Sequence, residues 1–217
     1  MWVIDPSTHR PEDQGVEEVL SGWDGEVRRF RTVLSPGDGP APADGYAAAG
    51  VVLMGSAASV LDPHPQLDPL AEWLRPIVRG EQPVPLLGIC YGHQLLAHLA
   101  GAEVGFLTEK RDKRVGVELS RLDGSRLVPD RRDLRVVVSH REEVKSCPSG
   151  FRVVARRDGV EIDGLEHESR PLFSYQFHPE AREDFASASG IELSEIDDRL
   201  RRDSRTVLDA FARVASA

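Results

Sequence analysis

Apolar positions follow one rhythm up to about residue 100 and another beyond it. "WVID", "EVRRFRTVL" and "GVVLMG" are short β-rich runs, and "GVEEVLSGW" between the first two has helical spacing. Leu67, Leu70, Ala71, Leu74, Ile77 and Val78 keep a helical period, with Pro76 expected to bend or shorten that helix. The next strand is "VPLLGI". Strands alternating with helices predict βαβ units, hence a parallel sheet covered by helices on its faces.

Past residue 103 the pattern becomes closely spaced strands: "VGVELS", "LRVVVSH", "FRVVARR", "GVEIDGLEH" and "PLFSYQF". With few helix-length gaps between them, some of these strands are expected to form an antiparallel extension. The tail reads as an amphipathic helix over about 194–215, with Ser194 and Asp197 in capping-box spacing. The fold class is therefore α/β, a mostly parallel central sheet flanked by helices with an antiparallel extension. No repeat or composition shift divides the 217 residues, so one domain over 1–217 is expected.

Charge narrows the choice of partners. The 27 basic and 36 acidic residues leave a net charge of −9, the wrong sign for a sequence-independent grip on nucleic acid or anionic lipid. No apolar run approaches the roughly 18 residues of a membrane span, and the start has no secretory pattern, so a soluble cytoplasmic chain is expected. Cys90 and Cys147 read as thiols rather than a disulfide framework. The histidines show no metal-ligand spacing, so neither a metal nor another cofactor is expected.

One segment carries chemistry. In "PLLGICYGHQLLAHL" a buried-strand run feeds a helix through Gly88-Ile-Cys90-Tyr-Gly92, with a glycine two residues to either side of the cysteine. That is nucleophile-elbow spacing, in which small neighbours let strand and helix approach across a strained turn. The dipole and free N–H groups at the start of the following helix favour a thiolate and can hold an oxyanion. "FSYQFHPEA" supplies a candidate base in His178 and a candidate orienting acid in Glu180, with Pro179 fixing a backbone angle between them. A Cys-His-carboxylate triad needs an imidazole to take the thiol proton and an acid to hold its tautomer.

Together, Gly88-Ile-Cys90-Tyr-Gly92-His-Gln94 and His178-Pro-Glu180 resemble the paired motifs of the class I, triad-type glutamine amidotransferases, a flavodoxin-like fold. The likeness runs over roughly residues 1 to 185. In overall look the chain is similar to stand-alone relatives of the glutaminase domain of GMP synthase. The resemblance implies that Cys90 attacks the side-chain amide of glutamine, that His178 shuttles the proton and that Glu180 orients it. It places oxyanion donors at the backbone N–H groups of Tyr91 and Ser56, and substrate contacts at Gly55, Gln94, Ser139 and His140. Gly55-Ser56-Ala57 stands where the family usually has Gly-Gly-Pro, and Ser139-His140-Arg141-Glu142 where it has Ser-His-x-Asp.

The implied products are glutamate and ammonia. No G-x-x-x-x-G-K-[ST] loop is present, so a separate synthetase is the expected ammonia acceptor. Two other readings stay open. One is a stand-alone γ-glutamyl hydrolase acting on another γ-glutamyl compound, and the other a catalytically degenerate regulatory or binding module.

Overall fold

The computed structural model describes all 217 residues. The chain opens with β1 (Trp2–Ile4), α1 (Asp13–Leu20), β2 (Arg28–Phe30), β3 (Val51–Leu53), α2 (Asp68–Arg79), β4 (Leu86–Ile89) and α3 (Tyr91–Leu99). After α3 come β5 (Val104–Phe106), β6 (Arg114–Leu122), β7 (Asp133–His140), β8 (Glu142–Val144), β9 (Phe151–Arg157), β10 (Val160–His167) and β11 (Leu172–Tyr175). Two helices, α4 (Glu183–Ser189) and α5 (Asp198–Ala215), close the fold.

Nine strands form one sheet in the order β2-β1-β3-β4-β11-β10-β9-β6-β7. The five from β2 to β11 pair in parallel, and the rest are antiparallel, which is the architecture the strand spacing predicts. A separate antiparallel pair joins β5 to β8. Because successive side chains alternate across a strand, β3 divides its apolar residues between two cores. Val51 and Leu53 pack with Trp73, Leu74 and Leu95 of α2 and α3, whereas Val52 joins Val207, Leu208 and Phe211 of α5. Each such large side chain contributes about 1.5–3 kcal/mol on burial.

Two helix boundaries differ from the expectation. α2 does not stop at Pro76 but runs one more turn to Arg79, ending at Gly80 in a left-handed conformation. The loss of one N–H there is offset by the burial of Ile77 and Val78 just beyond it. The last helix begins at Asp198, not at 194. Asp197 caps it by accepting from the Leu200 N–H at 2.8 Å, and Ser194 lies in a preceding 3₁₀ turn. "EVRRFRTVL" pairs only over Arg28–Phe30, because β1, its one neighbour, is three residues long.

The strand order decides where chemistry can occur. In a parallel sheet the loops leaving the carboxyl ends of neighbouring strands share one edge. β3, β4 and β11 are neighbours, and Gly55, Cys90 and His178 lie just past their respective ends. The antiparallel extension curls back to this edge, where the His178 N–H donates to the Val137 carbonyl of β7 at 2.9 Å.

Candidate active site

Cys90 alone makes the corner between β4 and α3. Its φ of 50° and ψ of −99° lie outside the regions a side chain ordinarily adopts. Such a conformation costs on the order of 1–3 kcal/mol and persists only where its surroundings over-determine it. Here they do: the Cys90 N–H donates to the Tyr175 carbonyl at 2.8 Å, and its carbonyl accepts from the Gln94 N–H at 3.0 Å. The flanking glycines let α3 sit this close. A Cβ on Gly92 would stand 2.3 Å from the Leu53 carbonyl oxygen, and one on Gly88 would stand 2.5 Å from the Gly92 carbonyl oxygen.

His178 and Glu180 meet as the short turn through Pro179 allows, with His178 Nδ1 2.8 Å from Glu180 Oε1 and both side chains buried. An Nδ1–H donating to the carboxylate leaves Nε2 as the basic nitrogen. Nε2 is buried and has no hydrogen-bond partner, so it is free to take a proton. Burial works against a charged imidazole, but the Glu180 carboxylate and the neighbouring Cys90 outweigh it and push the His178 pKa up to about 10. Gly55 is where the imidazole passes the loop after β3: a Cβ there would lie 2.7 Å from His178 Cε1 and 3.5 Å from Cys90 Cβ. The same cavity thus holds the predicted nucleophile, base and acid.

The Gly55-Ser56-Ala57 loop is held by its serine. Ser56 Oγ donates to the Pro6 carbonyl at 2.7 Å and accepts from the Ala58 N–H at 3.1 Å. Its φ is not positive, and its own N–H makes no backbone hydrogen bond. The serine therefore fixes the loop from its side chain. Tyr91 is the first residue of α3, so its N–H has no intrahelical acceptor.

The opposite wall comes from the end of β7 and from β8. Ser139 Oγ is buried without a partner, and Cys90 Sγ lies 4.0 Å from the Ser139 carbonyl oxygen. His140 Nδ1 donates to the Glu142 carbonyl at 2.9 Å, and its Nε2 accepts from Arg157 Nη2 at 2.9 Å. Burial first, then the Arg157 charge, pulls the His140 pKa down to about 4, so this ring is neutral. Gln94 reaches the cavity from α3 with its Nε2 donating to the Glu142 carbonyl at 2.8 Å and to Gln176 Oε1 at 3.1 Å. That amide is oriented by its partners, and its Oε1 is the atom left for a ligand.

The cavity holds about 360 Å³, at the lower end of the range for small-molecule sites. Three participants have no counterpart among the residues the sequence motifs single out. Gln176 precedes His178 by two residues, and its side chain reaches Cys90. Glu12, in the turn before α1, lines the cavity, and burial together with the Glu180 charge raises its pKa to about 7. Arg157 lies beneath His140. A period of two ending on His178 is the available signal for Gln176, whereas nothing local marks the other two.

Comparison with known proteins places the chain in a class. Residues 46–193 match the model for glutamine amidotransferase class-I, and the chain belongs to that family. Among individual relatives it is similar to a subunit of glutamine-hydrolyzing GMP synthase from Thermococcus kodakarensis, 44% identical over 98 residues, which are 45% of this chain and 51% of that protein. It is also similar to the glutamine-hydrolyzing GMP synthase of Gibberella zeae, 36% identical over 141 residues, 63% of this chain and 24% of that one. The matches thus span about a quarter of the Gibberella protein and about half of the Thermococcus one. In fold, a glutamine amidotransferase from Thermotoga maritima superposes with a TM-score of 0.78 at 18% identity, covering 100% of this chain and 99% of that one. A glutamine amidotransferase from Methylobacillus flagellatus gives 0.76 at 19% identity, covering 100% and 94%. No helix is long and apolar enough to cross a membrane.

Proposed function

We propose that the chain is a single class I amidotransferase domain that hydrolyses the side-chain amide of glutamine and hands ammonia to a separate synthetase. The observation that carries this is a cysteine on a strained strand-to-helix corner beside a buried His178–Glu180 pair, with a cavity opening onto the sulfur. Its similarity to glutamine-hydrolyzing GMP synthase subunits supports the same substrate and a partner that consumes the ammonia.

In this reading His178 Nε2 takes the Cys90 proton, and Sγ attacks the amide carbon of glutamine. The carbonyl electrons move onto oxygen, where the N–H groups of Tyr91 and Ser56 hold the charge; losing one such donor costs roughly 3 kcal/mol in a preorganised site. The protonated His178 then gives its proton to the departing nitrogen, the C–N bond breaks, and ammonia leaves a γ-glutamyl thioester on Cys90. Water attacks the thioester with His178 as base, the C–S bond breaks, and glutamate and the free thiol result. Ser139 and the main chain through His140 contribute the substrate wall, Gln94 Oε1 an acceptor, and Gly55 the close passage.

The test is ammonia release from glutamine, and amine release from other γ-glutamyl amides, by the purified chain with and without a synthetase. Cys90→Ala is expected to lower turnover by about 10⁴-fold or more. A wild-type chain as inert as Cys90→Ala on every substrate, with the synthetase present, defeats the reading. Turnover of γ-glutamyl amides in preference to glutamine would assign the stand-alone hydrolase instead.

A further inference from the structure

Fully buried beside the nucleophile, Gln176 joins three elements. Its backbone N–H donates to the Asp163 carbonyl of β10 at 2.9 Å, which fixes where its side chain starts. From there Gln176 Nε2 reaches Cys90 Sγ at 3.5 Å, and Gln176 Oε1 accepts from Gln94 Nε2 at 3.1 Å. The polarity of this chain of amides is set at its far end. The Glu142 carbonyl can only accept, so Gln94 must turn its NH₂ towards it, at 2.8 Å. The same NH₂ then meets Gln176, which must present oxygen to it and nitrogen to the sulfur.

We propose that Gln176 is a further catalytic residue, whose side-chain amide donates a hydrogen bond to Cys90 Sγ and stabilises negative charge there, its orientation locked through Gln94 by the Glu142 carbonyl. This rests on the reading of Cys90 as the nucleophile. A hydrogen bond to a charged acceptor is roughly twice as strong as one to a neutral acceptor, so this donor favours the thiolate over the thiol. It supplements the helix N-terminus and acts from the side of β11 instead of α3. The charged and titratable groups lining the cavity at Cys90 are His178 and Glu180, then His9, Arg10 and Glu12 before α1, Lys113 before β6, and His140, which is neutral, with Arg141 between β7 and β8 and Glu142 at the start of β8.

The experiment measures carboxamidomethylation of Cys90 by iodoacetamide, in a Cys147→Ser background that leaves one thiol. The readout is the ratio of rates at pH 6 and pH 9, because any change in access to the sulfur affects both rates alike and cancels. Gln176→Met keeps the length and removes the donor, and is expected to lower that ratio about tenfold. Gln176→Glu keeps the shape but turns a carboxylate oxygen to the sulfur, and is expected to lower it further. Gln94→Met, which frees the Gln176 amide to rotate, should lower it by a smaller factor. Cooperative thermal unfolding identifies the folded variants, and these decide the matter: a ratio equal to that of the parent in a folded Gln176 variant overturns the assignment. Because iodoacetamide needs no glutamine turnover, this ordering in a chain that releases no ammonia would keep the Gln176 role while removing the amidotransferase reading.

Discussion

At the scale of single residues the site depends on atoms that are missing as much as on those present. Gly92 has no Cβ because Leu53's carbonyl occupies the place one would take. Gly92→Ala must push α3 off the sheet or open the Cys90 corner, and is expected to destabilise the chain by about 2–3 kcal/mol in urea unfolding while abolishing Cys90 reactivity. A variant that unfolds like wild type would mean the helix has slack that the 2.3 Å approach denies. The elbow is legible in the sequence because its constraint is local, requiring small residues two positions to either side of Cys90. Gln176 is not, because its importance lies in Gln94, 82 residues away in sequence.

Single elements show where local patterns suffice and where they are overridden. Short, continuous apolar runs at β3 and β4 predict buried strands, and they are buried. At Pro76 and at the start of α5, tertiary packing and a neighbouring capping residue override the local rules. The antiparallel extension holds charge that no periodicity reveals. Arg157, buried in β9, donates to Asp163 Oδ1 from Nε at 3.0 Å, to Glu118 Oε2 from Nη1 at 2.6 Å, and to His140. Asp163 also accepts from Ser120 Oγ at 2.6 Å. Removing one partner of a buried pair leaves the other charge stranded, so Arg157→Met is expected to cost about 3–5 kcal/mol by denaturant unfolding. Replacing Asp163 by leucine in the same chain should recover much of that loss, and no recovery would refute the pairing as its cause. Arg157→Met should also raise KM more than it lowers kcat, since His140 sits in the wall and does not touch the reacting atoms.

Across the whole molecule, the buried titratable groups pull stability in opposing directions with pH. His93 and His140 are each held down to about 4 from 6.5, mainly by burial, so the folded chain binds fewer protons than the unfolded one in that window and loses stability as pH falls through it. Glu12, raised from 4.5 to about 7, acts the other way, weakening folding as pH rises between those values. One carboxyl does not outweigh two imidazoles, so stability still rises from about pH 4.5 to 6.5. Above 6.5 the contribution of His178, complete below that pH, is lost progressively up to about 10. The melting temperature should therefore peak near pH 6.5, and a profile flat from pH 5 to pH 9 would show that these groups do not carry the pH dependence. None of this could be read from composition, since burial and pairing, not the count of seven histidines, set the sign.

The position of β11 beside β4 has a consequence for how the molecule comes into being. Between the strand that leads into Cys90 and the strand that leads to His178, the chain leaves the parallel sheet, builds six strands, and returns to insert next to where it departed. Closing so long an excursion costs loop entropy before any contact repays it, so this pairing is expected late in folding. A growing chain thus carries Cys90 for much of synthesis before His178 exists to sit beside it. On the function proposed above, the thiol gains its base only when the last parallel strand docks, and completion of the sheet becomes the step that arms it.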